Sequence, residues 1–312
     1  MTEIDYTAQT QMPRPFPEIR KLGVVTPNGE SSPFDWHGTA MRLELEDSSC
    51  GVDPTADSHA VIRVRDSGET IARFGSGCYY YSLFTENNTA YVLGTVSEPP
   101  HLCGSEIRIF ESRDLRHWES RTLFRNPGWE YYNTSLTRSP DGYVLLLEAG
   151  APREYVGEHP FTFFFAHSPD LLHWTAPDPA QGFSKDRYMG GPFLRFSRGW
   201  YYLFSVTELP CRRYTNYVYR SQDLQTWYVS PYCPILMPGN DDRKIAPHAA
   251  GLTPEKRKQI ETGFISSNSD VDLCEWEGKT LLTYNAGNQL GFYVTAEAVC
   301  DLPPEQFLES LF

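Results

Sequence analysis

The chain has 312 residues, a formal net charge of −13 and 40% apolar content. Its acidity argues against a nucleic-acid partner, because phosphate binding needs a basic surface. No apolar run approaches the ~18 residues that a membrane helix needs, so no membrane partner is expected either. The aromatic share of 14%, with 23 Gly and 24 Pro spread along the chain, suits many short strands joined by turns.

The N-terminal stretch MTEIDYTAQTQMPRPFPEIRK has no apolar core behind a basic start, so no secretion signal is expected. Cys50, Cys78, Cys103, Cys211, Cys233, Cys274 and Cys300 are scattered and form no C-x-x-C pair. They read as reduced thiols of a cytoplasmic protein, not as a disulfide frame or a zinc site. Residues 1–33 read as an N-terminal extension, and 34–312 as one domain.

Strand-like runs then follow in order. FDWHGTAMRLELE and AVIRVRD, near 34 to 65, supply a first unit, and a second runs from about 75 to 120. Tyr131 to Trp174 and Tyr188 to Trp227 give two more, and the last begins at Ser267. The segment from about 231 to 262 shows no strand pattern and reads as a long loop with a short helix. Three units end in one motif: SRDLRHW from 112, SPDLLHW from 168 and SQDLQTW from 221. A fixed period of this size means a propeller or a solenoid. Each copy follows a β-run, so its Asp suits a tight turn, with the carboxylate accepting backbone N–H groups. Leu and Trp then pack between units. The expected fold is all-β: a five-bladed β-propeller with four-stranded antiparallel blades.

The three S-x-D-L-x-x-W copies at this spacing resemble the five-bladed propeller glycoside hydrolases of families 43, 32 and 117. The C-terminal run NSDVDLCEWEGKTLLTYNAGNQLGFYVTAEAV resembles a family-43-like branch. The resemblance implies a sugar pocket at the end of the funnel where first strands begin. It also implies an Asp as base on the first inner strand, an Asp on a later inner strand, and a Glu as acid in an E-G-P motif. Here that motif reads Gly190-Gly191-Pro192, with Gly190 in place of the Glu, and the later Asp position reads Asn133. Asp35 is the candidate for the first-blade base.

Alternation along strands supplies other candidates, since residues i and i+2 share a face. Asp270 and Asp272 share one, and Asp270 is expected at the pocket floor near Arg42 or Glu44. Arg42 and Glu44 share another face, either as an ion pair or as a substrate-binding Arg beside a catalytic Glu. Glu148 ends a second strand directly after four apolar residues. Burial there would raise its pKa, as a general acid needs. Glu208 and Glu98 precede Leu-Pro and Pro-Pro and read as solvated loop acids. His37 and His248 lie in loops; Asn133, Asn288 and Gln289 could bond sugar hydroxyls. The catalytic candidates are therefore Asp270, Glu148, Glu44 and Asp35. The substrate-binding candidates are Arg42, His37, Asn133, Asp272, Asn288 and Gln289. No H-E-x-x-H, P-loop, G-x-G-x-x-G or G-x-S-x-G occurs, so neither a cofactor nor a metal ligand set is assigned. The leading expectation is hydrolysis of a small glycoside or oligosaccharide. The alternatives are a sugar-binding propeller without catalysis, or a lyase or transferase on the same scaffold.

Overall fold

The computed structural model describes residues 3–5, 16–47, 58–288 and 290–312. Two strands, β1 (Glu3–Asp5) and β2 (Arg20–Thr26), precede the first complete sheet. That sheet is β3 (Ser31–Trp36), β4 (Thr39–Asp47), β5 (Ser58–Val64) and β6 (Thr70–Phe74). The second is β7 (Cys78–Glu86), β8 (Thr89–Val96), β9 (Glu106–Ser112) and β10 (Glu119–Arg125). The third is β11 (Glu130–Ser139), β12 (Gly142–Ala151) and β13 (Thr162–Ser168), with Phe183 bridging Phe163 on its outer side. The fourth is β14 (Met189–Ser197), β15 (Trp200–Leu209), β16 (Arg213–Ser221) and β17 (Thr226–Val229), with β1 added in parallel at its edge. The fifth is β18 (Ser267–Trp276), β19 (Lys279–Gly287) and β20 (Tyr293–Cys300). Its outer strand is β2, so the N-terminal chain closes the ring.

The five sheets form a five-bladed β-propeller, with β3, β7, β11, β14 and β18 packed around the axis. The extension expected over residues 1–33 is only partly that. Arg20–Thr26 belongs to the last blade, and the first inner strand begins at Ser31, ahead of residue 34. The helix expected before residue 262 is α1 (Pro254–Thr262), capped by the Thr253 hydroxyl; α2 (Pro304–Ser310) follows the last blade. No helix among the described residues is long and apolar enough to cross a membrane.

The repeated motif has one geometry in three blades. Asp114, Asp170 and Asp223 each accept backbone N–H groups from the residues two and three further on, at 2.8 to 2.9 Å. Leu115, Leu171 and Leu224 are each left-handed, with φ of 61°, 65° and 60°, and buried. Each leucine carbonyl accepts the indole N–H of Trp118, Trp174 or Trp227, at 3.0, 3.3 and 3.2 Å. The motif staples the third strand to the fourth position of its blade and stands away from the funnel.

Four apolar clusters fill the gaps between blades one and two, two and three, three and four, and four and five. The junction of blades five and one is built differently. Arg42, fully buried on β4, donates through Nε to Glu44 Oε1 at 3.1 Å and through an η nitrogen to Glu297 Oε1 of β20 at 3.2 Å. Arg65 and His248 reach Glu297 Oε2 at 2.8 Å each. The carboxyl pKa of Glu297 is lowered despite burial, because His248, Arg65 and Arg42 surround it.

Candidate active site

The inner strands carry one local device that builds the funnel. Pairing between first and second strands skips two residues after Tyr79 in β7, Tyr131 in β11, Gly190 in β14 and Ser269 in β18. These are β-bulges, which re-aim side chains beside binding sites. Tyr80, Gly191 and Asp270 are left-handed there, with φ of 55°, 51° and 51°. In the first blade Glu30 (φ 53°) holds the matching place immediately before β3. Around the funnel the five matching positions therefore hold Glu30, Tyr80, Tyr132, Gly191 and Asp270.

Glu30 and Asp270 line a cavity of about 310 Å³ together with Asn28, Asp47, Tyr79, Tyr80, Ser269, Asn285 and Tyr293. Asn285 of β19 joins the two acids. Its Oδ1 accepts the Glu30 backbone N–H at 3.0 Å, and its Nδ2 donates to Asp270 Oδ2 at 3.0 Å. The Ser269 hydroxyl donates to the same Oδ2 at 2.5 Å. Burial raises the Asp270 pKa, and the Ser269 and Asn285 donors pull against that rise. Glu30 is pushed up to about 8, first by burial and then by the charge of Asp270. Its Oε2 is buried and has no hydrogen-bond partner among the described residues.

Glu148 arrives from the end of β12. It is 1% exposed, and its Oε2 accepts the Gly191 N–H at 2.9 Å and the Asn133 amide at 3.2 Å. Its pKa is raised well above the usual carboxyl value, chiefly by burial and also by Asp270 and Glu30. Oε1 lies 3.7 Å from where a β-carbon on Gly190 would stand. A carboxyl from the neighbouring blade thus occupies the space beside the glycine that replaces the motif's Glu. On this side the wall is aromatic. Ring centroids run from Tyr80 to Tyr132 (5.6 Å), Phe161 (4.8 Å), Tyr188 (5.7 Å) and Tyr214 (5.2 Å).

The structure separates the sequence candidates. Asp270, Glu148 and Asn133 converge on the funnel, and Glu30 joins them although the sequence reading passed over it. Placing the domain start at residue 34 put Glu30 outside the propeller; its mark in the sequence is the turn Pro27-Asn28-Gly29 directly before a strand. Asp270 meets Glu30 from the first blade, not Arg42 or Glu44. Glu44 is committed to four donors, from Arg42, Thr26, Asn28 and Arg63, and with Arg42 it forms a buried ion pair. Asp35 lies at the far end of β3, about 16 Å along an extended strand from Glu30. There it lines a separate cavity of about 260 Å³, and it caps the turn through the Gly38 N–H at 3.1 Å.

Asp272 does not share the face of Asp270, because the bulge between Ser269 and Asp272 breaks the alternation. It sits deeper, between the funnel and the far cavity, and burial raises its pKa to about 7. His37 is an exposed turn residue with φ of 53°. Asn288 accepts the Leu290 and Phe292 N–H groups within its own loop. Gln289 lies outside the described residues, as does Cys50. His248 belongs to the Glu297 cluster. Glu98 bonds Ser105, and Glu208 is exposed.

No family model matches the chain, and no curated protein matches it. Solved structures do. A protein titled "Glycoside hydrolase" superposes with a TM-score of 0.62 at 12% identity, over 93% of this chain and 92% of that one. The catalytic domain of the GH62 α-L-arabinofuranosidase of Coprinopsis cinerea gives 0.61 at 9% identity, over 93% and 98%. The GH43 protein BlXynB of Bacillus licheniformis gives 0.57 at 15% identity, over 90% of this chain and 54% of that one. At such identities the likeness is one of fold: the chain is a five-bladed propeller of the kind found in GH43 and GH62 glycoside hydrolases.

Proposed function

We propose that the protein is a glycoside hydrolase acting on a small glycoside or oligosaccharide, with Glu30 and Asp270 as its acid and base. The observation that carries this is the meeting of two carboxyl groups from the first and last blades in one cavity, joined through Asn285 but held differently. Glycoside hydrolysis needs one protonated and one ionised carboxyl across the scissile bond. Asp270 has two side-chain donors on one oxygen and suits the ionised form. Glu30 has a buried, unpartnered oxygen and a pKa near 8, and suits the protonated form at neutral pH.

Glu30 would protonate the departing glycosidic oxygen as its bond to the anomeric carbon breaks. Asp270 would take a proton from the water that forms the new bond. Glu148, fastened to Gly191 behind them, would add no third negative charge, because complete burial raises its pKa in spite of its two donors. A carbohydrate substrate also accords with the glycoside hydrolase neighbours.

The test is a panel of aryl glycosides and short oligosaccharides with the wild type, Asp270→Asn and Glu30→Gln. Each variant should lose about 10² to 10⁴ in rate while keeping its fold. Full activity in both variants would refute the assignment. Sugar binding with no turnover of any glycoside would favour a binding propeller.

A further inference from the structure

The space at the axis continues beneath the two acids. Glu30 and Asp270 also line a second chamber of about 50 Å³, and Asp272 lines it with them. Asp272 in turn lines the far cavity of about 260 Å³, where Asp35 and Glu275 are exposed. Each space shares wall residues with the next, so the three lie end to end along the axis.

The wall of the middle chamber is rich in hydroxyls. Ser31 and Ser32 come from β3, Ser82 from β7, and Thr134 and Ser135 from β11. All but Ser82 are buried. A buried hydroxyl is costly unless it is bonded. Ser82 and Thr134 bond each other at 3.2 Å, Ser135 Oγ accepts the Leu194 N–H at 2.9 Å, and Ser32 bonds Asp272. Ser31 Oγ and Glu30 Oε2 are buried with no partner among the described residues. A polar cavity holds a water when it offers about 10–15 Å³ and two to four partners. This chamber has the room for more than one, and two open polar groups on its wall.

We propose that the axis is a hydrated proton path from the acid pair to the far face, with Asp272 as its exchanging group. This rests on the acid–base reading above. A turnover leaves Asp270 with the proton that it took from water, and Glu30 without the proton that it gave to the departing oxygen. Resetting the pair breaks the O–H bond on Asp270 and forms one on Glu30, with no net gain or loss of protons. Through the chamber this happens while sugar still fills the funnel: Asp270 hands its proton to chamber water, and chamber water returns one to Glu30 Oε2. Asp272 keeps that water in exchange with solvent at the far cavity. Burial raises its pKa to about 7, with Ser32, the Leu273 N–H and Arg195 of β14 pulling against that rise. Cys274 on its own strand, and Asp35 and Glu275, are the other titratable groups of the far cavity. A group that titrates near the working pH both gives and takes protons readily.

The experiment compares the wild type with Asp272→Asn on a short oligosaccharide, whose departing oxygen needs the Glu30 proton, in H2O and D2O from pH 5 to 8. Resetting follows bond cleavage, so it enters kcat and not kcat/KM. Asp272→Asn should lower kcat by about tenfold, a barrier ~1.4 kcal/mol higher, and leave kcat/KM as it was. The solvent isotope effect on kcat alone should rise, and the limb of the kcat profile near pH 7 should vanish. Ser82→Val, which narrows the chamber and touches neither acid of the pair, should give the same split if Asp272→Asn does not fold. A crystal structure with sugar bound should place water against Ser31 Oγ. An unchanged kcat in the variants would overturn the proton path. So would equal falls in kcat and kcat/KM, which mark a merely structural effect, and so would a dry chamber. No turnover by the wild type would sink the acid–base reading itself, and the path with it.

Discussion

The Gly191 N–H donates to Glu148 Oε2 at 2.9 Å, fastening a carboxyl of the third blade to the inner strand of the fourth. Gly191 is left-handed, and a β-carbon there would stand 2.0 Å from Asp270 Oδ1. Gly191→Ala should therefore displace Asp270 and abolish turnover. The left-handed backbone alone should cost about 1–2 kcal/mol. Thermal melting and the glycoside assay measure the two effects. An alanine variant with wild-type activity would show that Asp270 has room to move without consequence.

Stability should fall as pH rises through the carboxyl window of the funnel. Glu30 has a folded pKa of about 8 against an ordinary 4.5, so between these values the native state binds more protons than the unfolded chain. Its stabilising contribution is complete below about pH 4.5 and lost by about pH 8. Glu148 and Asp270 shift the same way. Glu30→Gln should thus melt higher than the wild type at pH 8 while hydrolysing less. Melting curves from pH 5 to 8 check this; parallel pH profiles for the two proteins would contradict it.

Ring closure between blades five and one should depend on the charges of Glu297. Removing it by Glu297→Ala leaves Arg42, Arg65 and His248 facing one another in a buried site. Breaking a buried pair in this way costs about 3–5 kcal/mol. Because the Glu297 pKa is depressed, its contribution is present above about pH 4.5 and lost as pH falls below that. Urea titration at pH 7 and pH 4 should show a large difference from the wild type at the former and a smaller one at the latter.

The three staples should differ in weight. Trp227 is fully buried, against Phe165 and Phe183, whereas Trp118 and Trp174 are half-buried. Trp227→Ala should cost about 3–5 kcal/mol, and Trp118→Ala clearly less. Both should keep catalytic rate below their melting temperatures. Equal losses at the two sites would show that the gap between blades three and four collapses around the missing ring.

The sequence by itself determined the blade count and the staple. A motif fixed by local bonds, with Asp capping N–H groups two and three residues on and Trp bonding a carbonyl three residues back, repeats wherever its residues repeat. The run of four apolar residues before Glu148 also marked it as a desolvated acid at a strand end, and it is buried there. Alternation failed at Asp270 and Asp272, where a bulge turns one residue to the funnel and the other beneath it. Only the tertiary structure decided which acids meet. Glu30 and Asp270 are 240 positions apart in sequence, and they share Asn285 because the chain's start closes the ring against its end. Glu44 has the same residue type on a first-blade strand, yet its own sheet gives it Arg42 and Arg63, and ring closure adds Thr26 and Asn28. Ring closure across blades is a long-range event, and no local period encodes the partner that it delivers to a carboxyl.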